Sequence, residues 1–96
     1  MNKHRKHEII AKVTDLKKLN SSKNGNPNYM IYTDNGVTRS RNDSILNYKI
    51  SYNMLNETYK FYITEYKNGK TYLDNFEEVG KWQKKLIEQK LLYLLK

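Results

Sequence analysis

Residues 58–76, with the sequence Thr-Tyr-Lys-Phe-Tyr-Ile-Thr-Glu-Tyr-Lys-Asn-Gly-Lys-Thr-Tyr-Leu-Asp-Asn-Phe, decide the fold class. As far as Tyr66, apolar and polar side chains alternate with the period of two residues that is typical of a half-buried strand. The face expected to point inward carries Tyr59, Phe61 and Ile63. The Asn-Gly turn within residues 67–70 then leads into another strand, residues 71–76. The stretch therefore predicts an antiparallel hairpin of strands four and five.

Three earlier strands are predicted by alternation, by β-branched and aromatic residues and by the turn formers between them. They cover residues 9–13, with an extension to Leu19 left open, residues 28–33 and residues 37–41. An exposed loop at residues 20–27 separates the first two, and Asp34-Asn35-Gly36 predicts a tight hairpin between the second and the third.

A helical turn or a short helix is predicted between strands three and four. Asn42-Asp43-Ser44 offers side chains that cap helix N-termini. After it, Ile45, Tyr48 and Tyr52 recur at a spacing that places them on one helical face. The tyrosines and isoleucines of this segment would also suit a strand.

The order of these elements is that of the five-stranded oligonucleotide- and oligosaccharide-binding (OB) barrel, with its helix between strands three and four. The sequence therefore predicts a mainly β protein, a small OB-like antiparallel barrel over residues 8–78. An SH3-like barrel is the competing fold, because it shares such a series of short strands.

Both ends of the chain are predicted to lie outside this barrel. Residues 1–7 are basic and almost free of apolar side chains, so they are expected to form a mobile arm. Residues 79–96 show the spacing of a basic amphipathic helix, whose apolar stripe is too broad to stay exposed. The stripe is expected to be covered by the barrel of the same chain, by a second copy of the chain or by a partner protein. Binding to a membrane surface is the least favoured alternative. The candidate partner-binding residues are Trp82, Leu86 and Tyr93.

The charge of the 96-residue chain favours a polyanionic partner. Eighteen Lys and Arg against ten Asp and Glu give a net charge of +8. Residues 1–41 carry nine basic and three acidic side chains, and residues 81–96 carry five and one. AT-rich codons would also enrich Lys, Asn, Tyr and Ile, but they do not explain the scarcity of acidic residues at both ends. Nucleic acid, an anionic membrane and an acidic protein surface are the candidate partners.

Several classes of protein are excluded by composition. The chain has no cysteine, so disulfides, thiolate zinc sites and cysteine nucleophiles are excluded. Its apolar runs are far shorter than the ~20 residues of a membrane span, and no apolar signal core follows the basic start. We therefore expect a cytoplasmic protein.

Catalysis has little support in the sequence. His4 and His7 fall in the predicted mobile arm, where neither would be held with the precision of a general base. The carboxylates are scattered, and Glu77-Glu78 is interpreted as the acidic start of the last helix. The loop at residues 21–28 has one glycine and lacks the Lys-Ser or Lys-Thr of a nucleotide-binding loop. No enzyme, cofactor or metal site is predicted.

Binding to a single strand needs cations for phosphates and flat rings on which bases stack. The predicted strands place Lys60, Tyr62 and Tyr66 opposite the inward face of strand four, and Arg39 and Arg41 on one side of strand three. The nucleic-acid-binding candidates are Lys12, Lys23, Tyr32, Arg39, Arg41, Lys60, Tyr62, Tyr66, Lys67 and Lys70. Packing of tyrosines at a strand surface is the structural alternative for each ring.

The segment Asn24-Gly25-Asn26-Pro27-Asn28-Tyr29, the hairpin after it, and a short segment with Asp43, Ser44 and Tyr48 resemble small barrel proteins of bacteriophages and mobile genetic elements. The resemblance covers roughly residues 9–79. It implies a barrel that binds single-stranded nucleic acid. These proteins usually have a basic residue between the Pro and the Tyr, where this chain has Asn28.

Two functions are therefore carried forward. The first is a non-enzymatic protein that binds nucleic acid, expected to be single-stranded DNA, in phage or mobile-element replication. The second is a small mobile-element-encoded modulator that binds an acidic host or replication protein through its barrel and C-terminal helix.

Overall fold

The computed structural model describes residues 4–79 of the chain. Five strands and two short 3-10 helices account for its regular structure. The strands are β1 (His4–Leu19), β2 (Asn28–Thr33), β3 (Gly36–Arg39), β4 (Thr58–Tyr66) and β5 (Thr71–Glu78). The 3-10 helices, Ile45–Lys49 and Tyr52–Met54, lie between β3 and β4. Within residues 4–79, no helix has both the length and the apolarity that crossing a membrane would need.

The five strands form a closed ring in the order β1-β2-β3-β5-β4. The first part of β1 pairs with β4 and its second part with β2, both antiparallel. A register shift between Val13 and Asp15 marks the change of partner, and a bulge of this kind bends a strand. The ring closes between β3 and β5, which run parallel and are paired at Arg39 and Tyr72.

The core lies inside this ring and confirms the predicted inward face of β4. Tyr59, Phe61 and Ile63 are all buried, as are apolar residues of β1, β2 and β5. The rings of Tyr59, Phe61 and Phe76 pack with centroids 5.6–6.3 Å apart. Burial raises the pKa of the Tyr59 hydroxyl. The period-two pattern therefore identified the side of β4 that faces the core.

The strand boundaries agree with prediction for β2 and β4 and differ for the others. β1 begins at His4, so residues 4–7, expected in a mobile arm, extend the strand and pair with β4. β3 ends at Arg39, two residues earlier than predicted. The interpretation of Glu77-Glu78 as the start of a helix is wrong, because both residues belong to β5 and pair with Lys60 and Tyr59.

The helical turn or short helix predicted after β3 takes the form of two 3-10 helices. Ser44 does cap the first of them, since its Oγ accepts a hydrogen bond from the Leu46 amide at 3.3 Å. The residues expected on one helical face, Ile45, Tyr48 and Tyr52, are 81%, 65% and 59% exposed. The buried residues are instead Asn47, Ile50 and Met54. In this segment Asn47, Ile50 and Met54 therefore face the core, and the three residues of the predicted helical face are exposed.

Candidate nucleic-acid interface

A row of four side chains crosses the sheet from β1 to β5. Lys17 is opposite Met30, Met30 is opposite Arg39, and Arg39 is opposite Tyr72. We call these four residues the Arg39 row. Residues directly opposite each other on neighbouring strands have side chains on the same face of the sheet, so the row forms one continuous stripe.

The stripe points away from the core, because the next residue on each strand is buried. Leu16, Ile31, Thr38 and Leu73 are each at most 4% exposed. Successive side chains of a strand point to opposite faces, which directs the Arg39 row outward. Lys17 is exposed, while the other three members are half-buried. Neither Lys17 nor Arg39 forms an ion pair with any residue between 4 and 79. The stripe therefore has two unneutralised cations and one aromatic ring.

A second group of side chains, which we call the Arg41 cluster, adjoins the row at Tyr72. The Arg41 guanidinium lies 5.7 Å from the centroid of the Tyr66 ring and 5.5 Å from that of Tyr72. The two rings meet edge to face at 5.5 Å. Arg41 also donates to the Tyr66 hydroxyl at 3.0 Å and pairs with Asp74. Thr64, which is buried, donates to the other oxygen of Asp74.

The electrostatics of the Arg41 cluster favour a permanently charged and oriented guanidinium. The hydrogen bond with Tyr66 raises the pKa of Arg41, burial opposes this, and the hydrogen bond and charge of Asp74 add to the increase. Because Asp74 neutralises that charge, Arg41 is a weaker attractor of phosphate than Arg39. Its contacts instead fix the orientation of two aromatic rings.

The loop at residues 20–27 is fastened to the segment that follows β3. The Asp43 carboxylate accepts hydrogen bonds from Ser22 Oγ at 2.5 Å, from Asn26 Nδ2 at 2.7 Å and from Asn24 Nδ2 at 3.1 Å. The Ser22 and Asn26 hydrogen bonds are the main cause of a lowered pKa at Asp43. Asp43 adopts a φ of 62°, a left-handed conformation that Asp and Asn tolerate better than most residues. The fastening holds this loop against the segment that follows Arg39, the last residue of β3.

Lys60 and Tyr62 belong to a different group, which we call the Lys60 cluster. Lys60 Nζ lies 3.2 Å from Glu8 Oε2 and 5.3 Å from the centroid of the Tyr62 ring. The Tyr62 hydroxyl donates to Glu77 at 2.9 Å. The hydrogen bond to Glu8 is the main cause of a raised pKa at Lys60. The hydrogen bond to Glu77 is the main cause of a raised pKa at Tyr62. The cluster therefore contains two carboxylates for one ammonium group, so its negative charges outnumber its positive charge.

The remaining candidates are spread around the ring. Tyr32 is half-buried on β2, two residues from Met30, and it is opposite Asp15 and Val37. Exposed lysines lie at three other places, namely Lys12 on β1 opposite Thr58, Lys23 in the loop before β2, and Lys67 and Lys70 in the turn between β4 and β5. That turn directly follows Tyr66 and precedes Tyr72. Trp82, Leu86 and Tyr93, the candidate partner-binding residues, lie outside the described residues.

The structure thus brings Arg39, Arg41 and Tyr66 together and separates them from Lys60 and Tyr62. Four residues of these groups are not predicted from the sequence, namely Lys17, Met30, Tyr72 and Asp74. Tyr72 could have been found by strand parity, because Leu73 is the most apolar residue of β5 and its neighbour must then face outward. Asp74 could not, because its partner Arg41 lies in the segment after β3, which comes close to β5 only through the closure of the ring.

The two histidines lie on β1 instead of in a free arm. The His4 ring packs against Tyr66 with centroids 5.8 Å apart, and His7 Nε2 is 3.5 Å from Glu65 Oε1. Across residues 4–79, no group of three or more His, Asp or Glu side chains is placed to hold a metal ion.

Comparisons of the chain with protein-family models, with curated proteins and with solved structures give no match.

Proposed function

We propose that this protein binds single-stranded nucleic acid without catalysis, and that the Arg39 row is the centre of its interface. The observation that carries the proposal is the outward stripe in which Arg39 lies beside Tyr72 and Lys17 lies two strands away from Arg39. Neither cation has an ion-pair partner within residues 4–79. Cations that neutralise phosphates and rings that stack on bases are the two requirements of sequence-tolerant single-strand binding.

We also propose that the ring of strands is an OB-like barrel. A closed five-stranded ring with helical turns between β3 and β4 supports this assignment. OB barrels bind oligonucleotides on the face of strands two and three and through the loops beside it. Met30 and Arg39 lie on those strands, and the loop fastened by Asp43 lies beside them.

The path of the strand is proposed to run between two basic loops. Lys23 lies in the loop that joins β1 to β2, the strands that contribute Lys17 and Met30 to the row. Lys67 and Lys70 lie in the turn next to Tyr66 and Tyr72. The Lys60 cluster is a less favourable site than the Arg39 row, because Glu8 and Glu77 would repel phosphates there.

The experiment is a fluorescence-anisotropy titration of a labelled single-stranded oligonucleotide at several salt concentrations. Each phosphate contact contributes a slope of ~0.7 in log affinity against log salt. Three to six contacts would therefore cost roughly two to four log units per tenfold increase in salt. Arg39→Gln should weaken binding more than Lys60→Gln, the matched control on the neutralised cluster. Folded protein that forms no complex at micromolar concentration and about 50 mM salt would refute the proposal.

One observation favours the second function, a modulator that binds an acidic host or replication protein. Ile45, Tyr48 and Tyr52 are all more than half exposed on the 3-10 helices, and large exposed apolar side chains often mark protein interfaces. Lys49 lies between them in sequence and would suit an acidic partner. Ile45→Ser should leave oligonucleotide binding unchanged, so this surface can be tested separately. The resemblance to phage and mobile-element proteins is the basis for proposing a role in replication with either partner.

A further inference from the structure

A cavity of about 350 Å³ opens beside the Arg39 row. Its wall is formed by Leu19, Arg39 and Tyr72 together with the amides of Asn20, Asn28 and Asn42. The volume is at the lower end of the ~300–1,000 Å³ range of small-molecule sites. The cavity therefore has room for a single flat group, bounded by one aromatic ring and one aliphatic side chain.

The polar floor of this cavity is already hydrogen-bonded within the protein. Asn28 Nδ2 donates to Asn42 Oδ1 at 2.7 Å and to the Asn20 carbonyl at 3.3 Å. Asn28 Oδ1 accepts from Ser40 Oγ at 3.3 Å, and Ser40 Oγ accepts from the Tyr29 amide at 2.8 Å. These contacts make the floor rigid, but they leave Asn28 little capacity to bind a ligand.

Arg39 is the charged group at this cavity. It forms no ion pair with residues 4–79, and its guanidinium carries five N–H donors and no acceptor. A ligand that matches it must offer adjacent acceptors in one plane. The neighbouring Tyr72 ring favours a ligand that is itself flat and aromatic, since such rings stack.

We propose that this cavity takes one unstacked nucleobase of the bound strand and that Arg39 selects guanine there. Guanine presents O6 and N7 as two adjacent acceptors, the arrangement that an arginine contacts with two hydrogen bonds. Adenine places an amino donor beside N7 on the corresponding edge, and thymine, the base of the reference oligonucleotide below, offers one acceptor there. The inference rests on the proposed function and adds a base preference to it.

The test compares oligothymidylates of equal length that carry one central guanine, one 7-deazaguanine or no substitution. A bidentate contact predicts that guanine raises the affinity by about tenfold, and that 7-deazaguanine, which lacks the N7 acceptor, loses most of this gain. Arg39→Lys keeps the charge but lacks the two-donor fork. It should therefore bind unsubstituted oligothymidylate almost normally and lose the preference for guanine.

Lys17→Gln is the matched control, because Lys17 lies in the same row but does not line the cavity. It should weaken binding to all three oligonucleotides by the same factor. Equal affinity of the unmutated protein for guanine and 7-deazaguanine would overturn the base assignment and would place Arg39 on a phosphate. If no oligonucleotide binds at low salt, the proposed function itself fails, and the base preference fails with it. Far-UV circular dichroism establishes that each variant is folded.

Discussion

The Nε and Nη2 atoms of Arg41 both lie 2.9 Å from Oδ1 of Asp74, a residue 33 positions further along the chain. The contact joins the segment after β3 to β5, across the place where the ring of strands closes. It also holds the guanidinium against the rings of Tyr66 and Tyr72. If the proposed function holds, the charge of Asp74 opposes nucleic-acid binding, while its contacts with Arg41 support the arrangement of the two rings.

Asp74→Asn should separate these two effects. The change keeps the shape of the side chain but removes the charge, so we expect a loss of about 0.5–1 kcal/mol in the free energy of unfolding, as for a partly exposed ion pair. Affinity for a single strand should increase, because the charge of Arg41 is no longer neutralised. Urea unfolding and anisotropy titration measure the two quantities. Weaker binding by the folded variant would contradict the proposed location of the interface.

Phe61 and Tyr62 should differ sharply in their effect on stability. Phe61 is fully buried, so Phe61→Ala should cost about 3–5 kcal/mol through an unfilled cavity. The Tyr62 hydroxyl makes an exposed hydrogen bond to Glu77, so Tyr62→Ala should cost less than about 1 kcal/mol. Thermal and urea unfolding of the two variants provide the comparison. The opposite ranking would mean that the inward and outward faces of β4 are exchanged.

Tyr72 and Tyr62 should differ in nucleic-acid binding. The sequence alone predicts that Tyr62 stacks on a base, and the carboxylates around it in the structure favour Tyr72 for that role. Tyr72→Leu should lower single-strand affinity by ~1–3 kcal/mol, the usual contribution of a stacked base. Tyr62→Leu should lower it by less. Equal affinities in a parallel titration of the two variants at one salt concentration would remove Tyr72 from the interface.

Sequence patterns predicted the strands well where one rule determines the local structure. Alternation over nine residues fixed the bounds and inward face of β4, and the Asp34-Asn35-Gly36 turn fixed the hairpin between β2 and β3. Glu77-Glu78 was misassigned because acidic residues favour a helix start, whereas opposite Lys60 and Tyr59 they continue a strand. His4 to His7 looked unstructured for a similar reason, since their pairing with β4 has no signal in their own sequence.

The candidate site was harder to predict because it is assembled by ring closure. The sequence predicts Arg39 and Arg41 as site residues because both are cations and both fall on the same side of the predicted third strand. The proximity of Tyr72 to Arg39 depends on a parallel pairing between strands that are separated by the whole of β4 and the 3-10 helices. Likewise, the neutralisation of Lys60 by Glu8 depends on the exact register of β1 against β4. Neither contact can be inferred from the spacing of residues along the sequence.

Asp43→Asn should lower the free energy of unfolding at neutral pH. The loss relative to the unmutated chain should be smaller at acidic pH. The hydrogen bonds from Ser22 and Asn26 lower the pKa of Asp43 in the folded state. A lowered pKa contributes stability above the pKa of the unfolded chain, about 4, and this contribution is lost as the pH falls through the folded value. The difference in urea midpoint between the two proteins should therefore shrink below about pH 4. A difference that grows with acidity would contradict the assignment.

Asn47→Asp should destabilise the fold strongly. Asn47 is 1% exposed, and its Nδ2 donates to the carbonyls of Pro27 at 2.9 Å and Arg41 at 2.7 Å. A carboxylate at this position would face two acceptors without a counter-charge, at a cost of about 3–5 kcal/mol. Asn47→Ala, which removes the hydrogen bonds without adding a charge, should cost less. Urea unfolding of both variants at neutral pH ranks them.

β3 and β5 are paired in register at one position, Arg39 and Tyr72, so the seam between them is the shortest in the ring. Strands joined over so short a length can separate while the long strands β1 and β4 stay paired. Native-state amide exchange should therefore detect a local opening of β3 from β5, with a free energy lower than that of global unfolding. Such an opening would expose two strand edges that could pair with another chain. A nucleic-acid strand that contacts both Arg39 and Tyr72 would span the seam. Its binding would then hold β3 and β5 together. It should slow amide exchange in both strands and protect the protein from edge-to-edge association.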